Sequence, residues 1–158
     1  MARSKKLDAR IEECVRQEQE LQFESFSNDE ALELGLAIVE RARRDGLSVA
    51  VDIERHGQQL FHHALEGTAV DNDEWIRRKK RLVNRVFTSS YHFTLNLEFK
   101  GETLFERGLD EALYAASGGS FPIRIRNAGV IGTITVSGLP HEQDHALVVE
   151  SVRDFLTR

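Results

Sequence analysis

The chain has 158 residues, of which 41% are hydrophobic and 30% charged, and its formal net charge is −5. This length matches one ordinary domain, which can bury a core without disulfide or metal cross-links. The single cysteine, Cys14, excludes an intramolecular disulfide and a cysteine-based zinc site. The negative charge argues against a nucleic-acid-binding protein. Because no long apolar run and no signal region are visible, we expect a cytoplasmic protein without a membrane partner.

Helical spacing of apolar residues predicts two helices in the first third of the chain. The first covers residues 6–21, and its narrow apolar stripe suits a peripheral helix or one that contacts another subunit. Cys14 lies on this stripe, so we interpret it as a packing residue. The second helix begins with the capping-box pattern of Ser27 and Glu30 and ends at Gly46.

Two strands joined by a hairpin are predicted next. Apolar residues alternate with small or polar ones over residues 47–53, and residues 58–65 return after a turn that contains Gly57. His62 and His63 are neighbours in the second strand, so their side chains face opposite sides of the sheet. One of them can line a pocket while the other is exposed.

A long basic helix is predicted from residue 74 to about residue 89, with Asp73 as its cap. It carries five consecutive basic residues, Arg77 to Arg81, and also Arg85. Such a run is either a solvated helix face or an anion site near a helix start. Because five consecutive residues go all round a helix, Arg78 or Lys79 should border the apolar face.

The last third of the chain predicts a helix, a hairpin and a final helix. Residues 91–98 fit either a helix or a strand, and residues 106–117 are predicted to be helical. Two strands, 121–126 and 130–136, flank a turn, and Gly132 indicates a close approach of backbone. A final helix follows Pro140. The order of elements predicts an α+β fold with an antiparallel sheet.

One short motif resembles a zinc site. The stretch from His141 to His145 fits the H-E-x-x-H pattern, in which two histidines one helical turn apart hold zinc and Glu142 acts as the base. The alternative is a polar first helical turn. We prefer the alternative and expect no metal site, because no third ligand is apparent and Asp144 puts a charge inside the motif.

Three C-terminal stretches carry a family resemblance. They are Ala115-Ala-Ser-Gly-Gly-Ser-Phe-Pro-Ile123, Gly129-Val-Ile-Gly-Thr-Ile-Thr-Val-Ser-Gly138 and Glu142-Gln-Asp144. Together they resemble the heme-degrading-domain family, the GlcG/HbpS-like proteins, and in particular its uncharacterised cytosolic branch. The resemblance covers about residues 28–157. We therefore expect an N-terminal helical extension over residues 1–25 and one α+β domain over residues 26–158.

The resemblance implies a fold and a set of partners. The fold would be profilin-like, with a five-stranded antiparallel sheet flanked by helices. The protein would form homo-oligomers built from dimers. Some relatives bind heme or are linked to its breakdown, so heme is a possible cofactor. Since no Cys-Pro pair is present, an axial heme ligand would have to be histidine or tyrosine, and His62, His63 and His92 are the candidates.

Our leading hypothesis is an oligomeric protein that binds a small anionic ligand between the sheet and the basic helix. A cation would hold the anion, a polar cluster would add hydrogen bonds, and a glycine turn would allow close approach. These predicted ligand contacts are Arg78, Lys79, Ser89, Ser90, Tyr91, Gly118 and Gly119. Two alternatives stay open: an enzyme or binder acting on heme or a related cofactor, and a structural or adaptor homo-oligomer without a small ligand.

Overall fold

The computed structural model describes residues 2–158. Two helices, two strands, two helices, two strands and a final helix follow one another along the chain. A short 3₁₀ turn, Phe105–Arg107, follows the fourth helix. The helices are α1 (Ala2–Glu20), α2 (Asn28–Arg44), α3 (Val70–Val86), α4 (Ser90–Lys100) and α5 (His141–Leu156). The strands are β1 (Ala50–Arg55), β2 (Gln58–Ala64), β3 (Ser120–Ile125) and β4 (Gly129–Ser137).

The sheet is antiparallel, with the strand order β2-β1-β4-β3. This confirms the predicted α+β class and both hairpins. The prediction of five strands is wrong, because the described residues form a sheet of four. The segment between α1 and α2 adds only the isolated bridge of Phe23 with Ile125, because only Phe23 of this segment exchanges backbone hydrogen bonds with β3 and the residue after it. No comparison tests the likeness to profilin, which stays a prediction.

The two faces of the sheet differ in chemistry. One face packs against α2 and α5 through buried apolar residues such as Val51, Ile53 and Ile134. The opposite face, which α3 covers, carries buried polar residues such as Asp52 and Thr135. Polar groups buried under a helix need partners: Asp52 accepts from Lys80 Nζ of α3 at 3.1 Å, and the Thr135 hydroxyl pairs with the Ser120 hydroxyl of β3 at 2.9 Å.

Local sequence signals explain where the helices begin. At α2 the capping box is confirmed, because Ser27 Oγ accepts from Glu30 N at 3.1 Å and Glu30 Oε1 accepts from Ser27 N at 3.2 Å. The predicted Asp73 cap of α3 is wrong, since that helix already begins at Val70. Residues 91–98, which the sequence left open between helix and strand, lie within α4, and the N-cap Ser89 Oγ accepts from His92 N.

The predicted helix over residues 106–117 is wrong beyond its first turn. After Phe105–Arg107 the chain runs as turns and irregular backbone to residue 119. Three arginines on one face of α3 hold this loop: Arg78 donates to the Glu111 carbonyl, Arg81 to the Leu113 carbonyl and Arg85 to the Tyr114 hydroxyl. Contacts with α3 therefore replace helical hydrogen bonds in this segment.

Helix α1 packs on α4. Leu7 and Cys14 are buried against Tyr91 and Leu95, which confirms Cys14 as a packing residue. Burial raises the pKa of the Cys14 thiol to about 12, so the thiolate is disfavoured. The division of the chain at residue 25 stays a prediction.

Candidate functional site

A cleft of about 250 Å³ lies where α3, the end of β4 and the start of α5 meet, and we call it the Lys79 cleft. From α3 it is lined by Asp71, Asn72, Trp75 and Lys79. Its other walls are Ser117, the turn of residues 137–139, His141 and Asp144. All three stretches that carry the family resemblance thus contribute residues to this one cleft.

A buried ion pair forms the floor of this cleft. Lys79 Nζ donates to Asp144 Oδ2 at 3.0 Å and to the Val136 carbonyl at 3.0 Å, and both charged side chains are 2% exposed. Burial lowers the pKa of Lys79 and raises that of Asp144, while their mutual attraction opposes both changes. Asp144 also accepts from the backbone N–H of Leu139 at 2.9 Å.

Two helices begin at the Lys79 cleft with N-cap residues that offer no side-chain acceptor, although in α3 the Asn72 Oδ1 accepts from the backbone N–H of Ala69 at 2.9 Å. In α3 the N-cap is Ala69, and in α5 it is Pro140; neither side chain bonds to a backbone N–H. By contrast α2 and α4 are capped by serine side chains. The first N–H groups of a helix need acceptors and carry the positive end of the helix dipole. Both helix starts therefore favour an anion in the cleft.

Trp75 gives the cleft an aromatic wall. The Arg78 guanidinium lies over the Trp75 ring at 4.2 Å from its centre. Arg78 donates only to a backbone carbonyl and has no ion-pair partner among residues 2–158. Arg78 therefore contacts the Trp75 wall but does not itself line the Lys79 cleft.

The predicted ligand residues fall in two groups. Lys79 lines the cleft. Gly119 lies directly against the Lys79 side chain, since a Cβ added at Gly119 would lie 2.8 Å from Lys79 Nζ. Gly118 N donates to His141 Nδ1 at 3.0 Å. Ser89, Ser90 and Tyr91 lie behind the glycine turn; the Ser90 hydroxyl accepts from Ser120 N at 3.0 Å. No observation tests their role in ligand binding, which stays a prediction.

The three histidines proposed as heme ligands lie apart from one another. His62 Nε2 lies 2.9 Å from Asp73 Oδ1 in a polar cleft of about 230 Å³ on the other side of α3. His63 is exposed on the opposite face of the sheet. His92 Nδ1 lies 2.6 Å from Glu18 Oε2 beneath α1. His92 lines a cleft of about 220 Å³ with Val15, Gln19 and Arg124, whereas His62 lies in the polar cleft and His63 is exposed, so the three histidines do not share one pocket.

The residues of the H-E-x-x-H stretch contact other groups. His141 Nδ1 accepts from Gly118, and His145 Nε2 lies 2.7 Å from Gln17 Oε1 of α1. Among residues 2–158 no group of three His, Cys, Asp or Glu side chains is arranged to hold a metal ion. The stretch forms the start of α5, but Asp144 and His145 are buried there, so it is not the fully exposed polar turn that the sequence predicts.

Of the residues that line the cleft, the sequence predicted only Lys79 as a ligand contact, and Asn72, Trp75 and Asp144 are among those it missed. Asn72 precedes the predicted helix, and Trp75 belongs to its apolar face, so no local signal marks either residue as part of a site. Asp144 stood inside the family stretch Glu142-Gln-Asp144, and that motif was the available signal. Its partner Lys79 is 65 positions away in sequence, so only the fold reveals the pair.

Fold and cleft together define a class: a single-sheet α+β domain with a small polar cleft at the start of two helices. A family model described as "Haem degrading protein HbpS-like" matches residues 26–153, so the chain belongs to the HbpS-like family. This confirms the family predicted from the three C-terminal stretches.

Known proteins similar to this chain agree with that assignment. The UPF0303 protein of Streptomyces avermitilis is 51% identical over 149 residues, which cover 94% of this chain and 91% of the relative. The crystal structure of the Ybr137w protein superimposes with a TM-score of 0.86 at 31% identity, covering 93% and 87% of the two chains. A PduOC–heme complex shares the fold, with a TM-score of 0.68 at 23% identity over 82% and 94%. None of the helices within residues 2–158 is long and apolar enough to cross a bilayer.

Proposed function

We propose that the protein binds a small anionic molecule in the Lys79 cleft. The observation that carries this proposal is the convergence on one cleft of the starts of α3 and α5, whose N-cap residues Ala69 and Pro140 supply no side-chain acceptor. Their N–H groups supply hydrogen-bond donors and a positive potential. The Lys79–Asp144 pair adds no net charge to the floor, and Arg78 over Trp75 supplies a further cation.

The size of the cleft limits the ligand. Binding sites for drug-sized ligands usually enclose roughly 300–1,000 Å³, whereas this cleft measures about 250 Å³. A phosphate or a small carboxylate fits that volume. The exposed Asp71 side chain at the rim repels an anion and would weaken its binding.

Calorimetric titration with inorganic phosphate and with citrate tests the proposal. We expect saturable binding of at least one anion, weakened at least tenfold by Ser117→Asp, which adds a negative charge inside the cleft. Asp71→Asn should tighten binding because it removes a like charge. Ser4→Asp, an equal charge change on the exposed start of α1, is the matched control and should leave the affinity unchanged. Equal affinities for all four proteins would contradict the proposal.

Heme binding is the second candidate function, supported by the family description and by the related PduOC–heme complex. A heme would have to bind outside the Lys79 cleft, with His62, His63 or His92 as its ligand. Titration with hemin tests this candidate. A saturable Soret shift lost in one of the three His→Ala variants supports it, and a shift unchanged in all three contradicts the histidine assignment.

Self-assembly and location complete the proposal. The protein would be a cytoplasmic homo-oligomer built from dimers, as the family resemblance implies. Large apolar side chains on the surface of one chain support assembly, since Leu36 is 54% and Phe105 83% exposed. A solution mass equal to 18.0 kDa at micromolar concentration would contradict it.

A further inference from the structure

Strand β2 lies at an edge of the sheet and is open to another strand. It pairs only with β1, and five of its seven residues are exposed. Its sequence, Gln-Gln-Leu-Phe-His-His-Ala, contains no charged residue and no proline. Monomeric proteins usually protect such edges with charges, proline or a covering segment. The other edge, β3, is partly covered by Phe23.

Helix α2 lies over β2 and presents an apolar stripe beside this edge. Gly35 contacts the Phe61 ring of β2 so closely that no side chain fits between them. Next to Gly35 on the helix surface, Leu32 and Leu36 are 49% and 54% exposed. Residues three or four positions apart share one helix face, so the stripe continues to Asp29 in one direction and Arg43 in the other.

Two charges that flank the leucines are placed symmetrically, whereas Glu33 and Glu40 line the cleft between α2 and α5. Asp29 and Arg43 each lie seven positions from Leu36, one on each side. Both are exposed, and within residues 2–158 neither has an ion-pair partner, whereas Arg41 pairs with Glu150 and Arg44 with Asp45. When a second α2 lies antiparallel with Leu36 against Leu36, each Asp29 lies opposite an Arg43. The stripe is thus complementary to itself.

We infer that this surface binds a second copy of the chain. About a two-fold axis the two β2 strands pair antiparallel, and the two α2 helices pack side by side above them. Neighbouring strands lie about 4.8 Å apart and packed helices about 8–10 Å apart. Each α2 lies over its own β1–β2 pair. Pairing of the two β2 strands at the strand spacing can therefore also bring the two helices to the helix spacing. The inference rests on the proposed self-assembly and assigns its dimer surface.

A charge reversal with rescue tests this surface by light scattering. Asp29→Arg places two arginines opposite each other at both ends of the stripe, so the solution mass should fall at least twofold. Adding Arg43→Asp restores opposite charges and should restore the mass. Leu36→Glu, which puts two carboxylates on the axis, should dissociate the pair as well. Leu113→Glu, at a similarly exposed leucine outside the surface, is the control and should keep the wild-type mass.

The outcomes distinguish failure of this dimer surface from failure of the proposed self-assembly. If the wild-type protein is monomeric, both self-assembly and this surface are overturned. If the wild-type protein is oligomeric and Leu36→Glu keeps its mass, only this surface is overturned. Circular dichroism of each variant identifies loss of folding, and failure of the folded double variant to regain the mass overturns the Asp29–Arg43 pairing.

Discussion

The carboxylate of Asp144 lies 3.0 Å from the ammonium of Lys79, and both side chains are buried. This contact joins α5 to α3, and the same carboxylate holds the turn after β4 through Leu139 N. It explains why the Glu142-Gln-Asp144 stretch belongs to the family pattern that identified the chain. Asp144 is the buried member of that stretch, whereas Glu142 and Gln143 are exposed.

Removal of one partner of this pair should be costly. Lys79→Ala leaves the Asp144 carboxylate buried without its cation, which typically costs about 3–5 kcal/mol of unfolding free energy. Asp144→Ala should cost a similar amount. The double variant Lys79→Met/Asp144→Leu leaves no buried charge and should lose less than the sum of the two single changes. Urea unfolding measures all three, and strictly additive losses would contradict a coupled pair.

Acid should destabilise the fold through His145. Burial lowers the pKa of His145 from 6.5 to about 4, so the unfolded chain binds a proton more readily than the folded chain. The stabilisation is therefore complete above pH 6.5 and is lost as the pH falls towards 4, by up to about 3 kcal/mol. His145→Gln should flatten this part of the stability profile. The exposed His63→Gln is the control, and a profile unchanged by His145→Gln would contradict the assignment.

Gly132 should tolerate no side chain. A methyl group at this position would lie 2.0 Å from the Glu54 carbonyl oxygen of the paired strand, where the backbone cannot move aside. Gly132→Ala should cost at least about 3 kcal/mol of unfolding free energy. The control, Gly46→Ala, meets no atom within 4 Å and pays only for its positive φ, about 1–2 kcal/mol. Equal losses in urea unfolding would argue against a close strand contact.

Phe87 should be a site of stored backbone strain. It ends α3 at φ 62°, in the left-handed region that favours glycine, and its side chain is 52% exposed. Phe87→Gly should raise the unfolding free energy by about 0.5–1 kcal/mol. Phe87→Ala removes the same ring but keeps the strained backbone, so it should not stabilise. A thermal unfolding midpoint that falls in Phe87→Gly would indicate that the ring contributes more than the strain costs.

Local signals predicted most of the regular elements. The capping box of α2 and the alternation in β1 depend on residues near one another in sequence, and a glycine inside a strand was itself the signal for the close contact at Gly132. The number of strands in the sheet and the irregular loop after α4 depend instead on contacts between residues far apart in sequence. The segment over residues 106–117 has helical composition, but hydrogen bonds from Arg78, Arg81 and Arg85 hold it as a loop.

The candidate site was predicted only in outline. The phase of α3 places Arg78 or Lys79 beside the apolar face, and the structure buries Lys79 completely against Asp144. Sequence spacing could not show that the starts of α3 and α5 meet, because about 70 residues separate Ala69 from Pro140. The dipoles of two helices add up only once the fold has brought them together.

The fluorescence of Trp75 tests the central claim most directly, because it is the only tryptophan of the chain and lines the Lys79 cleft. Titration with phosphate and with citrate should change its emission along a saturable curve for at least one of them. The midpoint should shift to higher concentration in Ser117→Asp and to lower concentration in Asp71→Asn. No saturable change with either anion, or a curve that neither substitution moves, would contradict anion binding in the Lys79 cleft.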